Sequence, residues 1–423
     1  MFDLDKWQEI FATLQKNKLR TFLTSFSVAW GILLLIILLG SGKGLQNAVM
    51  QNFESNAKNA VWIWPGRTSM EYKGLSRDRE IRFTNKDFEI IRDQIAGIDN
   101  ISPQFNIWGG TRVTYNNEFG NFTVQCVLPE HQPIEGSKVL QGRYLNKIDI
   151  QQRRKVVVIG EEVFKALFKG EDPIGKFIKV NNISFKVIGV YSDGNGWQNR
   201  RVVMPFTAAQ QIFNGGVNVS SLGLTTGDAT PEESKIIEDK IRQKLASIHT
   251  VNPEDKSAIG IRNTLTEFSQ TQKVFLGIRM FIWFIGIGTL IAGIVGVSNI
   301  MLIVVKERTR EIGVRKALGA TPASILGLII SEAVFITTLA GYVGMVIGVA
   351  IMEGVDFVMD QSIANAQQTT DAAGQIVLFL NPNADIGIAV GATILLVVCG
   401  ALAGMIPALK AARIKPIESL RYE

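Results

Sequence analysis

Hydrophobic residues in this chain follow two patterns. Four long runs are almost free of charge: 21–42, 280–305, 323–352 and 386–409, the third carrying the single acid Glu332. A bilayer core of ~30 Å takes about 20 apolar residues in a helix, so each run is long enough to cross it. Between the first two runs the apolar stretches become short or alternating. AVWIWPG, YNNEFGNFTVQCVL, KVVVIG, KFIKVNNISFKVIGVY and RRVVMPF predict strands. Residues 83–97 and 231–248 have helical spacing and are opened by the capping residues Thr84 and Thr230.

The expected fold class is therefore a membrane protein with four transmembrane α-helices plus a large α+β extracytoplasmic domain. Residues 1–20 read as an amphipathic leading segment and 43–270 as the outer domain, with a strand-rich lobe inserted at about 130–202. The helical pattern over 263–283 predicts a stalk running into the second span. A short helix at 306–322 links the second and third spans, a loop at 353–385 links the third and fourth, and 410–423 forms a tail.

Composition agrees with a membrane anchor plus an aqueous domain. With 47% hydrophobic residues over 423 positions the chain is too apolar for an ordinary soluble protein, and with 19% charged it is too polar to be wholly embedded. Lysine and arginine then set the orientation. Lys16, Lys18 and Arg20 precede the first span, five basic residues lie within 306–316, and Lys410, Arg413 and Lys415 follow the fourth span. The 353–385 loop has five acids and no lysine or arginine. The positive-inside rule places both termini and the 306–322 helix in the cytoplasm, with the large domain outside. The first run is too long for a secretory signal and lacks a small-residue cleavage site, so it reads as a retained anchor. Clustering beside the spans also accounts for the net charge of +6 without nucleic acid.

Catalytic and metal-binding patterns are missing. Cys126 and Cys399 fall in different compartments and are not expected to pair. His131 and His249 have no ligand cluster at metal spacing, so no metal is expected, and both read as surface or turn residues. Gly170 to Lys176 fits G-x-x-x-x-G-K, but Phe177 stands where magnesium needs a hydroxyl and an apparent strand follows. It reads as a turn. GSGKG at 40–44 lacks the first glycine, and no Gly-x-Ser-x-Gly elbow occurs. The chain is not expected to be an enzyme or to bind a cofactor.

The most informative segment is KERTREIGVRKALGATP, residues 306–322. Glu311 and Arg315 are spaced i,i+4 and Glu307 and Arg310 i,i+3, so each pair can meet on a helix surface. Gly319 can adopt the left-handed stop, and Thr321 can cap a new helix opened by Pro322. A topology anchor would explain Arg308, Arg310, Arg315 and Lys316, but not the acids or the paired stop and cap. The segment reads as a rigid helix able to receive force. Glu332 is expected to hydrogen-bond Asn299 inside the membrane, with a proton or substrate pathway as the alternative. The G-x-x-x-G pairs Gly344/Gly348, Gly387/Gly391 and Gly400/Gly404 allow close helix approach, within one chain or between copies.

IMLIVVKERTREIGVRKALGATPASILGLIISEAVF, the ending GMIPALKAARIKPIESLRYE, the entry NKLRTFLTSFSVAWGI and the segment GEDPIGKFIKVNNISFKVIGVY resemble the MacB/FtsX-type permeases of ABC transporters. The likeness covers essentially the whole chain. It implies a subunit of a homodimer or heterodimer in the bacterial inner membrane, with porter-like and sabre-like lobes in its periplasmic domain. MacB-type exporters carry a fused ATPase; here the resemblance implies a separate one, which binds the ATP and magnesium. It also implies that Glu307, Arg308, Thr309, Arg310, Glu311, Ile312, Arg315 and Lys316 dock on that ATPase. ATP-driven motion would then expel cargo through a periplasmic adaptor and outer-membrane channel. Lipoprotein-releasing permeases and FtsX-like regulators of cell-wall hydrolases share the plan and are the alternatives.

Overall fold

The computed structural model of the chain describes residues 18–51, 53, 57–193, 198–368 and 386–413. Residues 1–17 of the leading segment, 369–385 of the expected loop and 414–423 of the tail lie outside the described residues. In chain order the elements are α1 (Lys18–Gln51), β1 (Ala60–Pro65), β2 (Phe83–Thr84), α2 (Asn85–Gln94), β3 (Asn100–Tyr115), β4 (Glu118–Val127), α3 (His131–Glu135), β5 (Lys138–Gly142) and α4 (Lys147–Gln151). There follow β6 (Val156–Gly160), α5 (Glu161–Phe168), β7 (Phe177–Val180), β8 (Ile183–Ser192), a 3-10 turn (Gln198–Arg200), β9 (Arg201–Pro205), α6 (Phe206–Ile212), β10 (Asn218–Val219), β11 (Ser221–Thr225), α7 (Pro231–His249) and β12 (Ile259–Asn263). Four helices complete it: α8 (Thr264–Glu307), α9 (Thr309–Ala317), α10 (Pro322–Gln368) and α11 (Ile386–Ala412). Among the described residues the chain forms two compact units, an α/β unit over Val49–Lys273 and a helical unit from the rest.

The α/β unit is built on one sheet of order β12-β1-β11-β3-β4-β9-β6-β8-β5, with β7 beside β3 and β8. β4–β9 and β6–β8 pair in parallel, and the remaining neighbours are antiparallel. β3 is 16 residues long and serves two lobes. Its first part pairs with β11, its later part with β4, and the register shifts between Ile107 and Thr111. On one side Val61, Ile63, Leu222 and Leu224 pack with Ile91 of α2 and Ile237, Ile241 and Leu245 of α7. On the other, Val113, Val124, Cys126, Ile159, Val187 and Met204 pack with Leu167 of α5 and Ala209 of α6. β6 is buried at every position, which is why VVVIG is continuously apolar rather than alternating.

The second lobe therefore starts earlier than the expected 130–202 insertion. The β3–β4 hairpin belongs to it, because Val113, Phe122 and Val124 fill its core. The two expected helices are present. Asp87 accepts from the Thr84 backbone N–H at 2.7 Å and hydroxyl at 2.9 Å, and Glu233 and Thr230 close the same box at the start of α7. The Walker-like segment is a turn into β7, with Lys176 ion-paired to Glu171.

Both histidines depart from the surface placement. His131 is fully buried, its Nε2 3.4 Å from Glu135 and its ring edge-on to Trp62. His249 meets Asp87 at 3.0 Å, tying the end of α7 to the start of α2. A carboxylate partner makes a buried imidazole tolerable; Glu135 stands one turn after His131 on α3, whereas Asp87 is remote in sequence from the half-buried His249.

Among the described residues, α1, α8, α10 and α11 are the helices long and apolar enough to cross a membrane. α10 continues to Gln368, so residues 353–368 extend the third helix rather than forming a loop: their acids carry no helix stop. Two of the three glycine pairs, Gly344/Gly348 and Gly400/Gly404, pack within the chain. A Cβ on Gly344 would lie 2.3 Å from the Ala29 carbonyl oxygen of α1, and one on Gly400 2.1 Å from Thr337 Oγ1 of α10. Gly391 faces open space.

Candidate coupling helix

The segment between the second and third spans begins with a break. α8 ends at Glu307, so Lys306 and Glu307 belong to the span helix, and Arg308 forms a turn before α9. Thr309 Oγ1 donates to the carbonyls of Val305 at 3.1 Å and Lys306 at 2.8 Å, satisfying groups at the end of α8. α9 then runs for nine residues. Gly319 has φ +96°, and the N–H groups of Gly319 and Ala320 donate to Lys316 and Arg315 at 3.0 Å, the double bond of a left-handed helix stop. The Ser324 N–H donates to Thr321 Oγ1 at 3.3 Å, and Pro322 opens α10.

Ile312 seats α9 in the bundle. It is 8% exposed and joins the cluster of Val305, Ile325, Ile329, Ala408 and Ala411. Arg308, one turn earlier, points the same way: its Nη1 lies 3.6 Å from Glu332 and its Nε 3.8 Å from Glu311. A narrow cleft bounded by Val305, Arg308, Ile312, Leu328, Ile329 and Glu332 sits here. At the far end of α9, Lys316 Nζ donates to the Ala412 carbonyl in the last turn of α11 at 2.5 Å.

These contacts correct two expectations. Glu332, 3% exposed, faces Arg308 rather than Asn299, which is exposed on α8. An arginine arm reaches across the helix junction, and its charge stabilises a carboxylate more than a neutral amide can. Glu311 likewise meets Arg308, three residues before it, instead of Arg315.

On the opposite face of α9 Arg310, Glu311 and Arg315 are exposed, as is Glu307 at the end of α8. So are Val314 and Leu318, at 42% and 83%. These two apolar residues lie outside the expected docking set; their i,i+4 spacing in a charged helix is the sequence signal that marks them.

Two family models match the chain. Residues 21–243 match the MacB-like periplasmic core domain, and 283–416 match the FtsX-like permease C-terminal model. The macrolide export ATP-binding/permease protein MacB of Bdellovibrio bacteriovorus is 29% identical over 98% of this chain and 61% of its own length. The MacB of Chlorobium phaeobacteroides is 30% identical over 98% of this chain and 60% of its own. The chain thus spans about three fifths of the curated relatives it matches. The crystal structure of the periplasmic region of MacB from Actinobacillus actinomycetemcomitans covers 53% of this chain and 97% of its own at 24% identity and TM-score 0.43. The chain belongs to the MacB/FtsX-type family of ABC transporter permeases.

Proposed function

We propose that this chain is the permease of a MacB-type efflux system and that the outer face of α9 docks a separate cytoplasmic ABC ATPase. The observation that carries this reading is the two-sided character of α9. Ile312 is buried in the bundle while Arg310, Val314 and Leu318 stand exposed beyond it. An exposed apolar pair rimmed by charge is the chemistry of a protein-binding surface. ATP and magnesium are held by the ATPase, not by this chain. α8 supports the mechanical part of the reading, since it is one helix of 44 residues that starts directly after β12. At 1.5 Å per residue it is roughly 65 Å long, twice a bilayer core, so a single helix would carry displacement from its cytoplasmic end past the membrane. In this scheme the chain works as a dimer in the inner membrane with both termini cytoplasmic. Its periplasmic unit drives cargo into an adaptor and outer-membrane channel.

Leu318→Asp and Arg310→Glu test the docking surface. Each should reduce co-purification of the ABC ATPase with the tagged, membrane-inserted chain by about tenfold or more, the scale of one interface hot spot. Glu311→Lys and Arg315→Glu should weaken binding or uncouple hydrolysis from export. Normal ATPase binding and export by all four variants would reject the docking role.

A further inference from the structure

If α9 receives the ATPase, its opposite face must deliver the motion. Burial of Ile312 alone would let the helix roll, because an apolar contact is non-directional. Two polar contacts on that face are directional and lie at opposite ends. At the N-terminal end Arg308 reaches Glu332, three helical turns into α10. At the C-terminal end Lys316 donates to the Ala412 carbonyl, one of the last-turn acceptors that α11 cannot satisfy internally. A lysine there also complements the negative end of the helix dipole. α9 is therefore bolted to two different spans, the third through a charge pair and the fourth through a helix cap. Both contacts lie within the helical unit.

We infer that Glu332 and Lys316 are positioning residues that divide the ATPase stroke between the third and fourth spans; Lys316, which the resemblance put in the docking set, is spent on the Ala412 carbonyl and does not itself contact the ATPase. This rests on the docking role of α9 and assigns that helix an inner, transmitting face. Arg308 is held by Glu311 as well as Glu332, so Arg308 keeps one carboxylate when Glu332 is replaced. The Lys316 contact goes to a backbone carbonyl, which no side-chain change at Ala412 removes. Each link can therefore be cut from one side.

The test uses the full chain in complex with its ABC ATPase in nanodiscs, with nitroxide labels at Phe26→Cys on α1 and Leu402→Cys on α11, both exposed positions. The readout is the change in label distance on trapping with ATP and vanadate, beside ATPase stoichiometry and hydrolysis rate. Lys316→Met should retain the ATPase and its hydrolysis but lose the distance change, and Lys316→Arg, which keeps a cationic donor, should restore it. Glu332→Leu should shrink the change without releasing the ATPase. Wild-type distance changes in Lys316→Met and Glu332→Leu would overturn the inference. Loss of ATPase binding in Lys316→Met would overturn it too, by making the lysine a docking or folding contact. Failure of the unsubstituted chain to bind an ABC ATPase would instead reject the docking role beneath it.

Discussion

Asp193, the residue after β8, is a carboxylate with little help. It is 4% exposed, and among the described residues neither carboxylate oxygen has a hydrogen-bond donor. Burial and then the charge of Glu135 push its pKa from 3.8 up to about 6, against weaker help from Ser137, Arg201 and His131. Glu135 goes the other way. Burial works to raise it, but His131 and Arg201, the latter 3.0 Å away, outweigh burial and hold it below the usual carboxylate range. Because the folded pKa of Asp193 lies above its unfolded value, its contribution to stability is complete below pH 3.8 and lost as pH rises through 6. Asp193→Asn removes that titration. The stability gap between variant and wild type should therefore move in the variant's favour between pH 4.5 and 7, by about 2 kcal/mol at about 1.4 kcal/mol per pH unit between 4.5 and the folded pKa of about 6. Thermal melting of both full-length proteins in detergent across that range measures it, and a constant gap would rule it out. None of this cluster was legible beforehand. His131 and Arg201 lie on α3 and β9 and Asp193 directly follows β8, and only the sheet order brings them together.

Among the elements, the helical unit owes its tight crossings to glycine, and glycine lets packing be separated from helix propensity. Glycine in a helix interior is worse than alanine by roughly 0.5–1 kcal/mol, so Gly296→Ala, whose Cβ meets open space, should stabilise by that amount. Gly344→Ala should reverse the sign. Its Cβ would stand 2.3 Å from the Ala29 carbonyl oxygen, a backbone atom that yields only if α1 and α10 part, at a cost of about 1–3 kcal/mol. Detergent melting of the two variants decides, and equal shifts would refute the close α1–α10 approach. Local signals had already marked much of this scale. Thr84, Thr230, Gly319 and Thr321 were readable as caps and stops because each acts within about five residues of its partners. β3 was not, since Pro103 and the Gly109–Gly110 pair interrupt its alternation and it is stabilised by partners as distant as β11. The length of α10 was obscured by Asp and Glu beyond residue 352. Acids signal the end of lipid burial but do not end a helix.

For the molecule as a whole, the family assignment and the four long helices leave sidedness as the assumption on which coupling depends. Leu318 lies between the second and third spans and Phe119 between the first and second, so a single span separates them along the chain. They must therefore face opposite compartments. Both are well exposed, at 83% and 66%, which makes each a good labelling position. The native cysteines interfere little: Cys126 is fully buried, and Cys399 lies within α11, beyond the reach of a membrane-impermeant maleimide. With such a reagent, Phe119→Cys should label in right-side-out vesicles and Leu318→Cys in inverted ones, each at the background level in the opposite preparation. The reverse pattern would put α9 outside the cell, where no ATP is available, and would end the coupling scheme whatever the ATPase assays gave. Labelling of both from the same side would go further, because it would show that α8 does not cross the bilayer. The outer unit would then have no continuous helix to a cytoplasmic motor.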